Sequence, residues 1–163
     1  MLSPFYLTPI VQTLLGTWFI CSTNFPMWLK GDKTNPTFTY SVSDIKAETT
    51  VLLDEVKYQK KGETKTLTGF DYQSKNDSST YTWRGKGVLG LLRSKWQIVL
   101  QDPNGQWAVI WFSRTLFTSE GVDIISRTPQ QLPEKTLNHI KSLMADNPLL
   151  AKHLITMREL SNK

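Results

Sequence analysis

Cysteine is nearly absent from this chain, which has 163 residues and a single thiol at Cys21. No internal disulfide can therefore form, which fits a reducing compartment. The chain also lacks an apolar run of 18 residues, and no positive charge precedes Lys30, so neither a transmembrane helix nor a signal peptide is predicted. We expect a cytoplasmic protein, or a periplasmic or secreted one if the given sequence has lost a leader.

Motifs for common catalytic and metal sites are also missing. There is no Gly-x-Ser-x-Gly, no P-loop and no Gly-x-Gly-x-x-Gly. The two histidines, His139 and His153, and one cysteine cannot form a zinc site of known spacing, so we expect no metal and no cofactor. Nineteen Lys and Arg outnumber fourteen Asp and Glu, but the longest basic run is Lys60-Lys61, so nucleic-acid binding is not expected.

Aromatic residues, by contrast, are abundant, with six Trp, seven Phe and five Tyr. Such side chains either fill a core or line an apolar pocket. The length favours one domain that covers residues 1–163.

Most of the chain consists of short segments with strand character, separated by turn residues. Phe38, Tyr40 and Val42, for example, alternate with Thr and Ser, which is the period of a strand. The predicted strands cover residues 16–23, 37–43, 49–60, 63–72, 80–84, 95–101, 106–114 and 121–127. Residues 1–15 are predicted to be an irregular lead-in and residues 24–36 a long loop.

The period changes beyond Pro129. Pro133 and Glu134 suit the start of a helix, and apolar residues then recur with helical spacing at Leu137, Ile140, Leu143 and Met144. The tail from Leu149 is predicted to form a further helix or an extended segment. Eight strands followed by one helix indicate a closed barrel or a sandwich.

Two motifs carry a resemblance to a known family. Gly16-Thr17-Trp18 opens the first strand, and Ser126-Arg127-Thr128-Pro129 ends the eighth strand just before the helix. Together they resemble the lipocalin family. The resemblance implies an all-β, eight-stranded antiparallel up-and-down barrel with one C-terminal helix packed outside. It also implies that Arg127 packs across Trp18 and closes one end, with Gly16 as the third motif residue.

In such a barrel, alternate loops meet at opposite ends. The loops near residues 44–48, 73–79 and 102–105 are polar and share the end of Trp18. The loops at residues 24–36, 60–63, 85–94 and 115–120 share the other end, and several of them are apolar. We interpret this end as a ligand mouth with apolar lids, although the same loops could pack down as ordinary core. Membrane contact through these loops is a further possibility. The apolar loop residues are Phe25, Met27, Trp28, Leu29, Val88, Leu89, Leu91, Leu92, Leu116 and Phe117.

The last hairpin suggests a polar site at that mouth. The resemblance puts Arg127 on the inner face, and a period of two then turns Ile125 and Asp123 inward as well. A turn centred between residues 118 and 119 would place Arg114 opposite Asp123, with both side chains inside the barrel. The pair is interpreted either as an anchor for a ligand carboxylate, hydroxyl or carbonyl, or as a structural ion pair.

The candidate ligand-binding residues combine this pair with inward-facing aromatic and apolar residues. Similarity to the family's fifth strand turns Tyr81 and Trp83 inward, whereas the facing of Trp96, Trp107 and Trp111 stays open. If Ala108 faces inward, Trp107 and Trp111 face out beneath the helix. The candidates are Phe38, Tyr40, Tyr81, Trp83, Phe112, Arg114, Asp123 and Ile125.

The predicted function is the storage or transport of a small hydrophobic ligand inside the barrel, such as a fatty acid, lysolipid, terpenoid, tetrapyrrole or polyketide. The alternative is an isomerase or cyclase in the same barrel, with Arg114, Asp123 and Tyr81 as catalytic candidates. A protein-interaction module that uses the apolar loops is a third hypothesis. A binder would return its bound compound unchanged, whereas an enzyme would not. We expect a monomer or a weak dimer.

Overall fold

A computed structural model describes residues 7–161 of the chain. Eight antiparallel strands follow one another around a barrel, which closes because β1 pairs with both β2 and β8. This confirms the predicted up-and-down barrel. The strands are β1 (Gly16–Thr23), β2 (Thr34–Ile45), β3 (Thr50–Lys60), β4 (Glu63–Gln73), β5 (Thr80–Gly85), β6 (Arg93–Gln101), β7 (Trp107–Phe112) and β8 (Gly121–Ser126).

The remaining elements precede, interrupt or follow the barrel strands. A ninth strand pairs with the mouth-side half of β1, where β2 no longer accompanies it. These elements are α1 (Pro9–Leu14), α2 (Pro26–Leu29), α3 (Glu134–Ala145), α4 (Pro148–Ala151) and β9 (Arg158–Glu159), with short 3-10 turns at Gly87–Leu89 and Leu154–Thr156. No helix within residues 7–161 is long and apolar enough to cross a membrane.

Alternation along the strands produces two separate apolar clusters. On β7, Ala108 and Ile110 belong to the cluster inside the barrel, whereas Trp107 and Val109 belong to the cluster on its outer wall. Trp111 packs against the outer cluster, as the inward position of Ala108 predicted. Side chains of successive strand residues point to opposite faces, so both faces of this wall are covered.

The outer cluster is where the C-terminal helix packs. Leu137, Ile140 and Met144 of α3 are buried there, and Leu143 is half-buried against them. This confirms the predicted helix on the outer wall. Cys21 lies in the same cluster, and its thiol donates a hydrogen bond to the carbonyl oxygen of Ile124 over 3.2 Å.

The closed end is formed by α1 together with the two sequence motifs. The Arg127 guanidinium carbon lies 3.6 Å from the centre of the Trp18 ring, so the contact that the resemblance implies is present. The guanidinium also donates to the carbonyl oxygens of Thr13, Leu15 and Thr17. Gly16 has a φ of 97°, and a Cβ there would lie 3.2 Å from Arg127 Nη1, which explains why glycine suits this position.

Two predicted irregular segments contain structure. Residues 9–14 of the lead-in form α1, which begins at a proline, a residue whose fixed φ suits the first helical turn. Residues 1–6 of that lead-in lie outside the described residues. The long loop contains α2, and β2 starts at Thr34, three residues earlier than predicted.

The predicted pairing of the last hairpin is wrong. Ile110, rather than Arg114, lies opposite Asp123, and β7 ends at Phe112, opposite Gly121. The connection is an eight-residue loop that closes on itself, because Thr115 and Thr118 are joined through backbone and hydroxyl hydrogen bonds. Arg114 therefore lies in this loop at the barrel mouth, where its side chain is exposed. Asp123 keeps its predicted inward position.

Candidate functional site

A cavity of about 460 Å³ opens at the end of the barrel opposite Trp18 and Arg127. Its volume falls within the range of about 300–1,000 Å³ that is usual for small-molecule sites. The wall is mostly apolar and aromatic, with acidic groups in the wall and basic groups at the rim. The lining residues used below are Phe25, Trp28, Phe38, Tyr40, Asp54, Val56, Leu67, Trp83, Trp96, Phe112 and Asp123 in the wall, and Arg93, Arg114, Leu116 and Phe117 at the mouth.

The structure brings most of the predicted site residues to this cavity. Two of the predicted residues, Tyr81 and Ile125, are fully buried in the inner cluster but do not line the cavity. The three catalytic candidates are therefore not brought together around one space, since Tyr81 is absent from the wall. The predicted residues that line the cavity are Phe38, Tyr40, Trp83, Phe112, Arg114 and Asp123.

Aromatic rings pack in a continuous cluster within the barrel. Trp96 stacks on Tyr81 with ring centres 4.5 Å apart and on Tyr40 at 5.7 Å. Phe112 contacts Phe25 edge to face at 5.4 Å and lies 6.4 Å from the Trp96 ring. Large rings have few rotatable bonds, so this cluster favours a rigid cavity wall.

Two carboxyl groups that sequence reasoning missed lie side by side in the barrel. Asp54 on β3 and Asp71 on β4 are almost completely buried, and the two carboxyl groups are close enough for each to affect the pKa of the other. The indole nitrogen of Trp96 donates to Asp71 Oδ1 over 2.7 Å. Burial raises the pKa of Asp71 to about 7, and burial together with the neighbouring Asp71 charge raises the pKa of Asp54 well above its usual value.

A third buried carboxyl group, that of Asp123, comes from β8. Its backbone lies opposite Ile110 on β7 and opposite Thr23 on β1, past a bulge in β1 between Ile20 and Ser22. Burial raises the pKa of Asp123 to about 7, although a hydrogen bond with the Thr23 side chain partly opposes this effect. The carboxyl group can therefore be neutral or charged near neutral pH.

Several buried polar atoms in this region have no hydrogen-bond partner within residues 7–161. They are Asp54 Oδ1, Asp71 Oδ2, Asp123 Oδ1 and the Tyr81 hydroxyl oxygen. Burial raises the pKa of the Tyr40 hydroxyl, and the charges of Asp54, Asp71 and Asp123 raise it further. Tyr40 is therefore close enough to interact with all three acidic groups. Asp54 and Asp123 line the cavity, so both acidic side chains lie beside the space that a bound molecule would occupy.

Strand periodicity could have revealed the hidden pair. Asp54 lies two residues from Leu52 and from Val56, and all three share the inner face of β3. Asp71 occupies the equivalent inner position on β4, opposite Leu52. Both strands were predicted, but the inner face of neither was assigned from the sequence.

Some apolar loop residues at the mouth pack as core, whereas others stay exposed as lids would, so each interpretation from the sequence holds for part of the loops. Phe25 and Trp28 pack down as part of the inner cluster, as the core interpretation predicted. The loop tips remain outside: the exposed fractions are 98% for Val88, 95% for Leu91, 96% for Leu116 and 78% for Phe117. The exposed basic residues Lys86, Arg93 and Arg114 lie in the same segments.

Comparisons with known proteins give a structural likeness only. No family model matches the sequence, and no curated protein matches it either. Among solved structures, the siderocalin Ex-FABP, described as functioning through dual ligand specificities, aligns with a TM-score of 0.64 at 11% identity. The alignment covers 93% of this chain and 95% of that chain. The major allergen Per a 4 from cockroaches aligns with a TM-score of 0.65 at 13% identity over 100% and 94%.

Proposed function

We propose that this chain, whose closed barrel and outer helix have the lipocalin fold, binds a small hydrophobic molecule inside the barrel for storage or transport. The observation that carries the proposal is the cavity of about 460 Å³ with its largely aromatic wall. Apolar burial would supply the affinity, at roughly 25 cal/mol for each Å² of apolar surface removed from water.

The form of the cavity supports a binding role. One end is sealed by Trp18 and Arg127, so a ligand enters and leaves through the opposite mouth. Phe112 and Trp83 present apolar surface to the interior, while Asp54 and Asp123 supply polar groups that can orient a ligand. A mostly apolar pocket with a few convergent polar groups is the usual form of a small-molecule site.

The loop tips support a further proposal, that the mouth contacts an anionic membrane surface while the ligand is exchanged. Leu116 and Phe117 project into solvent beside Arg114, and Leu91 does so beside Arg93. Exposed apolar groups can enter the interface of a bilayer, and neighbouring basic groups are attracted to anionic lipids. A hydrophobic ligand would then pass between the bilayer and the barrel without crossing water.

The ligand-binding proposal is tested by filling the cavity. Val56 lines the wall, whereas the next residue, Lys57, is exposed on the other face of β3. We expect the uncharged fluorophore N-phenyl-1-naphthylamine to bind wild-type protein at one saturable site. Val56→Trp should weaken this binding by tenfold or more because the indole occupies ligand space. Lys57→Trp adds the same ring outside the barrel and should bind like the wild type.

Isothermal titration calorimetry measures the stoichiometry, and fluorescence emission measures the affinity. Near-ultraviolet circular dichroism checks that both variants keep their packed cores. Equal binding by the two variants would reject the cavity as the site. The absence of saturable binding to the wild type would reject the function itself.

A further inference from the structure

The acidic groups inside the barrel lack the basic partners that buried carboxyl groups usually require. Asp54, Asp71 and Asp123 are at most 5% exposed, and none of them forms an ion pair within residues 7–161. An isolated charge in an apolar interior is costly, and a free buried acceptor costs almost as much as a lost hydrogen bond. A ligand that supplies a positive charge and N–H donors would remove both costs.

The walls around these groups suit the same kind of ligand. Asp54 and Asp123 line a cavity whose aromatic wall includes Tyr40, Trp96 and Phe112. The faces of such rings attract cations, and the attraction is stronger when water is excluded. Carboxyl oxygens and ring faces around one space are therefore complementary to an ammonium group attached to an apolar body.

The distribution of charge disfavours an anionic head group deep in the barrel. The basic residues that line the cavity, Arg93 and Arg114, are exposed at its mouth. A carboxylate placed near Asp54 and Asp123 would meet like charge or compete for their protons. Within residues 7–161, no group of three His, Cys, Asp or Glu side chains is arranged to hold a metal ion, which favours an organic cation.

We infer that the ligand is a hydrophobic amine whose ammonium group binds beside Asp54 and Asp123 within the aromatic wall. The inference rests on the proposed function and specifies the ligand class for the same cavity. The two carboxyl groups accept N–H hydrogen bonds from the ammonium group, and the rings enclose the carbon skeleton. Asp71, held by Trp96, does not itself line the cavity, and its charge raises the pKa of the neighbouring Asp54.

The test compares three ligands with one skeleton but different charge. They are 2-(1-naphthyl)ethylamine, 2-(1-naphthyl)ethanol and 3-(1-naphthyl)propanoic acid, each used to displace N-phenyl-1-naphthylamine. We expect the amine to bind wild-type protein about tenfold more tightly than the alcohol, because a charge-assisted hydrogen bond and a cation–π contact are added. The acid should bind more weakly than the alcohol.

Variants then assign the preference to the two carboxyl groups. Asp54→Asn and Asp123→Asn keep the shape of the side chain but remove its ability to carry a negative charge. Each should weaken the binding of the amine severalfold more than it weakens the binding of the alcohol, because only the amine interacts with the lost charge. Asp44→Asn makes the same change at an exposed position on β2 and should have no effect on either ligand.

The outcomes separate this inference from the general function. Saturable fluorophore binding with equal affinities for amine and alcohol, or with tighter binding of the acid, would overturn the amine inference and leave ligand binding standing. No saturable binding of the fluorophore or of any of the three compounds would overturn both. The wild-type comparison decides the ligand class even if an Asn variant fails to fold.

Discussion

Asp123 shows how one buried carboxyl group can couple ligand binding to stability. Its side chain is 1% exposed, lines the cavity and has one oxygen without a partner in the described residues. Burial raises its pKa to about 7, compared with an ordinary value near 3.8. In the ligand-free folded protein the Asp123 carboxyl group therefore stays neutral up to about pH 7, whereas in the unfolded chain it ionises above about pH 4.

Replacement of Asp123 by Asn is expected to change the pH dependence of stability. Stability falls wherever the unfolded state binds fewer protons than the folded state, which for Asp123 is between about pH 4 and pH 7. Near pH 4, wild type and Asp123→Asn should differ little. Above pH 7 the variant should be more stable by an amount on the order of a few kcal/mol, because each unit of pKa shift corresponds to about 1.4 kcal/mol.

Urea unfolding of the ligand-free proteins at pH 4 and pH 8 measures this difference. Asp44→Asn serves as the matched control, since Asp44 is exposed on the same sheet. A parallel pH dependence for wild type and Asp123→Asn would show that the Asp123 carboxyl group is not held in its neutral form.

At the scale of elements, a polar cluster binds the C-terminal segment to the barrel near its mouth. Its members are Asn24, Trp111, Glu120, Lys152 and His153. Glu120 Oε1 accepts from the indole nitrogen of Trp111 over 2.6 Å, and Lys152 Nζ lies 2.9 Å from the same oxygen. Asn24 Oδ1 accepts from the backbone of Val122, so its amide nitrogen is directed towards His153 Nδ1 at 3.0 Å. This arrangement leaves His153 Nε2 to donate to Glu120, 3.2 Å away.

The cluster explains why the tail adds a strand to an otherwise complete barrel. Hydrogen bonds from Lys152, Trp111 and His153, together with the Lys152 charge, hold the pKa of Glu120 near 2 against the opposing effect of burial. Just beyond β9, the backbone nitrogen of Leu160 donates to the carbonyl oxygen of Cys21 over 2.9 Å. The Glu120 side chain thus links the loop before β8 to α4 and helps to position β9.

Glu120→Gln is expected to loosen this segment without unfolding the barrel. The amide still accepts from Trp111, but the charge that attracts Lys152 is lost. Hydrogen exchange at residues 150–160 should become severalfold faster, while exchange in β3 and β4 should not change. Glu48→Gln, which removes a weaker exposed ion pair with Lys75 at 3.9 Å, should leave both regions unaffected. Equal exchange in Glu120→Gln and wild type would mean that apolar packing alone holds the tail.

Across the whole molecule, the two ends of the barrel are chemically different. The closed end is covered by α1 and by the contact between Arg127 and Trp18. The open end carries apolar loop tips and exposed basic groups, and the chain has a net charge of +5. This polarity is the basis for the proposal that the mouth faces an anionic bilayer.

Membrane contact is tested with vesicles of defined composition. We expect the protein to co-sediment with phosphatidylglycerol-containing vesicles more than with phosphatidylcholine vesicles, because electrostatic attraction assists the insertion of the apolar tips. The double change Leu116→Ser and Phe117→Ser should reduce this binding strongly. Ile45→Ser alters an apolar residue near the opposite end and should not. Equal binding by both variants would reject contact through the mouth.

Local sequence patterns determined the strands and the motifs of this protein. β1 has the predicted bounds, and the other strands differ by a few residues at their ends, because alternation and turn chemistry act within each segment. The contact of Trp18 with Arg127 and the helix on the outer wall were likewise predictable, since a family resemblance and an apolar stripe both pointed to them.

Tertiary structure decided which strand residues meet across the barrel. The period of a strand determines the face of a side chain but not its partner, so Asp123 was correctly turned inward while its pairing with Arg114 was wrong. The eight-residue loop before β8 set that pairing through its own Thr115–Thr118 contacts. The gathering of Asp54, Asp71 and Asp123 around one aromatic interior depends on three strands converging through the closure of the sheet, which no single segment specifies.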